Sequence, residues 1–188
     1  MKKSRRGVFR MPAAVTITGR SSSITAAFVS SVIPVVEPTD DEVTDALVVL
    51  GMTAEDVRCA YCGDAMTEWD HLRPLVSGQQ PTGHVSEIGN LVPSCGKCNQ
   101  SKGNKPWKDW ILGPAARSPK TRGITDLAER IQRLEAYERW KPRDPLDFSK
   151  VVPAEVWSEH WANWKSVLEE LKRSQAVAAK IRRIVAEA

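Results

Sequence analysis

The sequence predicts an α+β fold, a small ββα core embedded in a mostly helical chain. Three observations carry that expectation. All four cysteines fall into two Cys-x-x-Cys pairs, Cys59/Cys62 and Cys95/Cys98. Residues 58–103 are dense in turn formers and short alternations, which suits strands and a short helix better than long helices. On both sides of that stretch, apolar residues recur at helical spacing.

The bulk composition agrees with a folded chain. Hydrophobic residues make up 41% of the 188, enough to bury a core and to exclude a disordered polymer. The length suits one domain with appendages. The formal net charge is only +4, but the cations are clustered. Lys2, Lys3, Arg5, Arg6, Arg10 and Arg20 precede the first acid, Glu37. Lys102, Lys105, Lys108, Arg117, Lys120 and Arg122 follow the last cysteine, and Lys172, Arg173, Lys180, Arg182 and Arg183 lie near the end. Such clusters fit either phosphate contacts or solvated helix faces. No run is apolar enough to span a membrane, so no membrane association is expected. The N-terminal stretch shows no cleavage site of a signal peptide.

Taken in order, residues 1–38 read as a basic arm followed by an apolar segment. Residues 24–36 fit a buried strand or a short helix, and periodicity does not choose between them. A helix follows from Thr39, whose hydroxyl suits an N-cap; Asp40, Asp41 and Glu42 suit the positive end of the helix dipole. Val43, Ala46, Leu47 and Leu50 share one face, and Gly51 is a natural stop. Thr53–Asp56 resembles a second, short capping box. The central stretch belongs to a domain expected over 39–112. Trp107, Trp110 and Ile111 fall at helical spacing after Pro106. In the region 113–188, a loop over 113–123 precedes an amphipathic helix from Ile124 to Trp140. Pro153 opens another helix, with Val156, Trp157, His160, Trp161, Trp164, Val167, Leu168 and Leu171 on one stripe. That stripe reads better as a packed seam than as a base-stacking surface. It also makes a homodimer through the C-terminal helices an expectation.

Two Cys-x-x-Cys turns each point two thiolates at one ion, the pattern of a tetrahedral zinc site with four sulfur ligands. Thiolate ligation implies a reducing compartment, hence the cytoplasm. The gap from Cys62 to Cys95 is too long for an ordinary short zinc finger. Met66–Asp70 alternates like a short strand ending at Asp70 and His71. Pro74, Gly78, Pro81 and Gly83 mark a long turn, and Ile88–Val92 suits a returning strand. Pro93 and Ser94 then lead into a helix carrying Cys98, Asn99 and Lys102, with Asn99 and Lys102 on one face. A unit so small has little core of its own, so the metal is expected to supply folding energy.

From Cys59 to Gly103 the segment, with its run of Asp70-His71, Asn90-Leu-Val-Pro, Cys95-Gly-Lys-Cys98-Asn99 and Lys102-Gly103, resembles the HNH endonucleases. The zinc-bearing members of that family, with the ββα-metal fold, place Cys-x-x-Cys on either side of the motif. The resemblance implies a DNA endonuclease that hydrolyses phosphodiesters to 5′-phosphate and 3′-hydroxyl ends with one catalytic Mg²⁺ or Mn²⁺. It casts Asp70 and Asn99 as ligands of that ion, His71 as general base, and Asn90 as the brace that orients His71. Oxygen donors suit a hard cation, and an imidazole titrates near working pH. Lys102 and Arg73 are candidate phosphate contacts. Zinc on Cys59, Cys62, Cys95 and Cys98 is then structural. The setting stays open among restriction of foreign DNA, a mobile-element or phage nuclease, and repair. The competing expectation is a zinc-containing nucleic-acid-binding module without catalysis. Glu68, two residues before Asp70, is expected to share its strand face, with a structural contact favoured over a part in the metal site.

Overall fold

A computed structural model describes residues 12–188. The cations at Lys2, Lys3, Arg5, Arg6 and Arg10 therefore lie outside the described residues. The described residues divide into two compact units: residues 12–25 with Glu155–Ala188, and Ala26–Ala154. Among the described residues, no helix is long and apolar enough to cross a membrane.

Helix α1 (Ser21–Ser31) makes the 24–36 stretch helical as far as Ser31, and Val35 beyond it pairs in a parallel bridge with Ser86. Helix α2 (Asp40–Leu50) begins and ends where its side chains direct. Thr39 Oγ1 accepts from the Glu42 amide at 3.3 Å, and Glu42 Oε2 accepts from the Thr39 amide at 2.9 Å, a full capping box. Gly51 closes the helix at φ 68°, a left-handed position that favours glycine. Thr53–Asp56 starts no helix. It closes as a turn with the Asp56 amide on Thr53 O at 3.2 Å, and Arg58 just beyond pairs in a bridge with Ala65.

Strand β1 (Glu68–His71) pairs antiparallel with β4 (Leu91–Ser94), in a register that sets Glu68 opposite Ser94 and His71 opposite Leu91. Between them a small hairpin, β2 (Val76–Ser77) and β3 (Gln80–Pro81), turns through Gly78 and Gln79, at φ 57° and 66°. A 3-10 turn at Ile88–Asn90 feeds β4, so the returning strand starts later than the sequence suggests. Helix α3 (Gly96–Lys102) follows directly. This completes the ββα unit.

Helices α4 (Trp107–Ile111) and α5 (Leu127–Trp140) enclose that unit. Trp107, Trp110, Ile111, Leu134 and Tyr137 join Leu50, Leu72, Val92 and the four cysteines in one buried cluster. The Tyr137 hydroxyl donates to Ile88 O and to Leu91 O, the latter at 2.9 Å. It thereby ties α5 to the edge that leads into β4. Helix α6 (Phe148–Val151) ends this unit.

In the other unit, α7 (Ala154–Glu187) spans 34 residues, about 50 Å at the usual rise. None of its residues is fully buried. Trp157, Trp161 and Trp164 meet edge to face at 5.5 and 5.7 Å, and His160 joins Trp161 at 5.1 Å. The Trp164 indole donates to Thr25 Oγ1 at 3.0 Å, and the Ile17 amide donates to Gln175 Oε1 at 2.7 Å. The predicted stripe is thus only half covered: Val156 and Val167 remain exposed.

Candidate metal centre and active site

One Cys-x-x-Cys turn leads into β1 and the other follows β4, and the antiparallel register, with Glu68 opposite Ser94, brings the two turns to the same end of the pair. The Gly63 amide donates to Cys59 O at 2.8 Å, and the Asn99 amide to Cys95 O at 3.0 Å, so each turn closes on its own first cysteine. All four cysteines are buried and free of disulfides. Their Sγ atoms lie within 4.8 Å of one another, with Cys62 and Cys95 at 3.7 Å. Tetrahedral zinc with bonds of about 2.3 Å requires sulfurs roughly 3.8 Å apart, so the four thiols fit that ion. Hydrogen bonds from Cys62 and Cys98 push the Cys59 thiol down to about 3, while bonds to Cys59 and Cys62 push Cys98 up. The cluster therefore carries negative charge that a divalent cation would stabilise.

Two arginines outside the motif brace this cluster. Arg122 donates to Asp64 Oδ2 at 2.7 Å and lies 3.5 Å from Cys98 Sγ; its pKa is raised, chiefly by Cys62. Arg130 Nη1 donates to Cys59 O at 3.3 Å. Gly63 sits at φ 79°, a left-handed position that favours glycine, and a Cβ there would stand 2.4 Å from Arg130 Nη2. Sequence reading placed Arg122 only within a basic run and missed Arg130, since nothing local marks either as a partner of sulfur.

Asp70 and His71 stand at the end of β1. Asp70 is 6% exposed. Its Oδ2 accepts from the Tyr61 hydroxyl at 2.7 Å, and Lys102 Nζ lies 3.3 Å from Oδ1 and 3.1 Å from Oδ2. Lys102 also donates to His71 O at 2.7 Å and to Gly103 O at 3.3 Å. Lys102, expected at a phosphate, thus has no exposed surface and fastens the end of α3 to the end of β1. The reason is charge: a buried carboxylate needs a counter-ion, and Lys102 is the cation on the inner face of α3. Burial raises the Asp70 pKa and Lys102 opposes that rise; burial likewise lowers Lys102, against the pull of Asp70.

His71 Nε2 and Ser86 Oγ are 2.8 Å apart. Burial first, and the Lys102 charge second, lower the His71 pKa, so the ring is neutral at ordinary pH. Asn90 is 2% exposed and grips the chain just after His71. Its Oδ1 accepts from the Arg73 amide at 2.8 Å, and its Nδ2 donates to Arg73 O at 3.1 Å and Val85 O at 3.3 Å. The Asn90 carbonyl also accepts from the Leu72 amide at 2.8 Å. Arg73, the other expected phosphate contact, turns its guanidinium to Gly89 O and Glu138 O and lies 3.6 Å from the Glu138 carboxylate. It fastens this loop to α5.

Asn99, half-buried on α3, donates from Nδ2 to Glu68 Oε2 at 2.7 Å. Asp70, His71 and Asn99 therefore arise from the paired strand and the helix that follows its partner. Tyr61, Ser86 and Glu68 complete their surroundings. Tyr61 sits between two cysteines and reads as a spacer; only its burial against Trp110, edge to face at 5.1 Å, reveals its role. The donor set fits a hard divalent ion. Asp70 and Asn99 offer oxygen, and an ionised carboxylate holds about four acceptor positions.

Comparison with known proteins agrees with this arrangement. Residues 59–105 match the family model described as HNH endonuclease. The CRISPR-associated endonuclease Cas9 of Corynebacterium diphtheriae is 33% identical over 106 residues, which cover 54% of this chain and 9% of that protein. The chain thus spans less than a tenth of that relative's length. No solved structure matches the chain. The matched stretch opens at Cys59, where the cysteine clamp begins, and closes just beyond α3, so residues 59–105 of this chain are a domain of the HNH endonuclease family.

Proposed function

We propose that this protein is a metal-dependent DNA endonuclease that hydrolyses phosphodiester bonds to 5′-phosphate and 3′-hydroxyl ends. The observation that carries the reading is the end of β1. A half-buried imidazole with a lowered pKa follows a carboxylate held in place by Lys102. His71 in its neutral form removes the proton of the attacking water. Asn90 fixes the backbone that follows His71, so the ring approaches from a set direction. Asp70 and Asn99 would hold Mg²⁺ or Mn²⁺, which supplies charge stabilisation for the phosphate and the leaving oxygen. Cys59, Cys62, Cys95 and Cys98 would hold structural zinc. With Lys102 and Arg73 engaged internally, phosphate contact falls to exposed cations such as Lys97 and Lys105.

The test is supercoiled plasmid incubated with the zinc-loaded protein and Mg²⁺ or Mn²⁺. Cleavage that EDTA abolishes and His71→Ala reduces by about 10²–10⁴-fold, with ends that accept kinase label only after phosphatase, is the expected result. One observation favours a second reading, a zinc-containing nucleic-acid-binding module without catalysis: both Asp70 oxygens already accept bonds inside the protein. Intact plasmid in Mg²⁺, Mn²⁺ and Ni²⁺ alike, with retained DNA binding, would establish that reading instead.

A further inference from the structure

Glu68 has no part among the roles that the family resemblance implies, yet the fold sets it against one of the residues that do. It lies two residues before Asp70 on β1, on the same strand face. Its side chain crosses to α3, where Oε2 accepts from Asn99 Nδ2 at 2.7 Å. The other oxygen lies over the first turn of α3: a Cβ at Gly96 would stand 2.8 Å from Glu68 Oε1. The neighbouring Thr67 Oγ1 accepts from the Gly96 amide at 3.0 Å and fixes that approach. The carboxylate is therefore held between the start of α3 and the Asn99 amide.

The chemistry of the pair decides which way that amide faces. An ionised carboxylate has only acceptors, so only the NH₂ of Asn99 can point at Glu68. The amide is planar, so Oδ1 points away, and among the described residues no donor takes it. Hard divalent cations bind an amide through oxygen. An unrestrained Asn side chain presents nitrogen as readily as oxygen. We infer that Glu68 is a positioning residue that locks the Asn99 amide with its oxygen free for a divalent cation. This rests on the proposed role of Asn99 as an ion ligand. The logic is that of an outer partner orienting a metal ligand.

The test titrates Mn²⁺ into the zinc-loaded full chain without DNA, and follows the free ion by electron paramagnetic resonance. Glu68→Ala is expected to weaken Mn²⁺ binding about 10–100-fold. Glu68→Gln offers a donating NH₂ as well as an accepting oxygen, so it turns the Asn99 oxygen outward in only one of two arrangements and is expected to bind Mn²⁺ with an affinity between those of wild type and Glu68→Ala. Glu68→Asp keeps the charge but shortens the reach; it is expected to resemble Glu68→Ala, and it stands in should the alanine variant fail to fold. Asn99→Ala should weaken binding at least as much as Glu68→Ala. Wild-type affinity in Glu68→Ala or Glu68→Asp, with weakened binding in Asn99→Ala, overturns the positioning role alone. So does Glu68→Gln binding as poorly as Glu68→Ala, because the charge itself would then hold the ion. Unchanged affinity in Asn99→Ala, or no Mn²⁺ bound by wild type, overturns both this role and the ligand role of Asn99.

Discussion

Every donor of the cysteine cluster belongs to its own two turns, whereas the polar groups around Asp70 and His71 come from scattered positions: Tyr61, Ser86, Asn90 and Lys102. The cluster is closed and chemically uniform. The end of β1 is a mixed assembly in which each group is held by a different element. A site made of one residue type at fixed spacing is robust and readable. A site made of borrowed partners depends on the whole packing around it.

That contrast sets an order of expected damage. Cys98→Ser removes a ligand from the closed cluster and should be the most severe change. Structural zinc contributes on the order of 10 kcal/mol in small domains, so this variant should bind zinc poorly and lose its cooperative thermal transition by circular dichroism. Survival of a sharp transition would mean that the helices around the ββα unit hold it without the metal.

Lys102→Met tests the borrowed assembly. It leaves the Asp70 carboxylate buried without its counter-ion, a loss of about 3–5 kcal/mol. Adding Asp70→Asn should return part of that stability, because the uncompensated charge disappears. Additive losses in denaturant unfolding would mean that the pair is not coupled.

Asn90→Ala strips partners from the Arg73 amide and carbonyl, a smaller cost of about 1–3 kcal/mol. If Asn90 braces His71, kcat should fall further than this loss of stability explains, with zinc content unchanged.

The smallest effect is with pH. His71 is lowered, chiefly by burial, so its neutral form persists below the ordinary imidazole value of about 6.5. The acid limb of kcat/KM should therefore lie below that value. In unfolding, the same shift acts in one direction. The unfolded chain takes up the proton first, so the His71 contribution to stability is complete above about pH 6.5 and declines as pH falls below it. An acid limb above pH 7 would show that His71 is not the titrating base.

How much of this was legible in the sequence follows the same division. Thr39, Glu42 and Gly51 announce α2 because capping is local chemistry. The cysteine pairs announce the cluster because spacing alone brings two sulfurs together. Lys102 could be assigned to the same helix face as Asn99, but which neighbour that face meets depends on β1, about thirty residues away in the chain. Arg73 likewise looks like a free cation until α5 supplies the Glu138 carbonyl and carboxylate. The stretch at 24–36 is undecided in the sequence because a short apolar run fits either periodicity; the fold uses both, a helix to Ser31 and a bridge from Val35 to Ser86.

The hairpin between His71 and Asn90 turns through two left-handed residues at its tip, Gly78 and Gln79, while Asn90 joins its base on both sides, at Arg73 and Val85. Sealed in this way, the excursion is a detachable cassette. Extra residues grafted between Ser77 and Gln80 would lengthen the tip without disturbing the neck, which makes it the natural point at which to fuse a foreign recognition peptide.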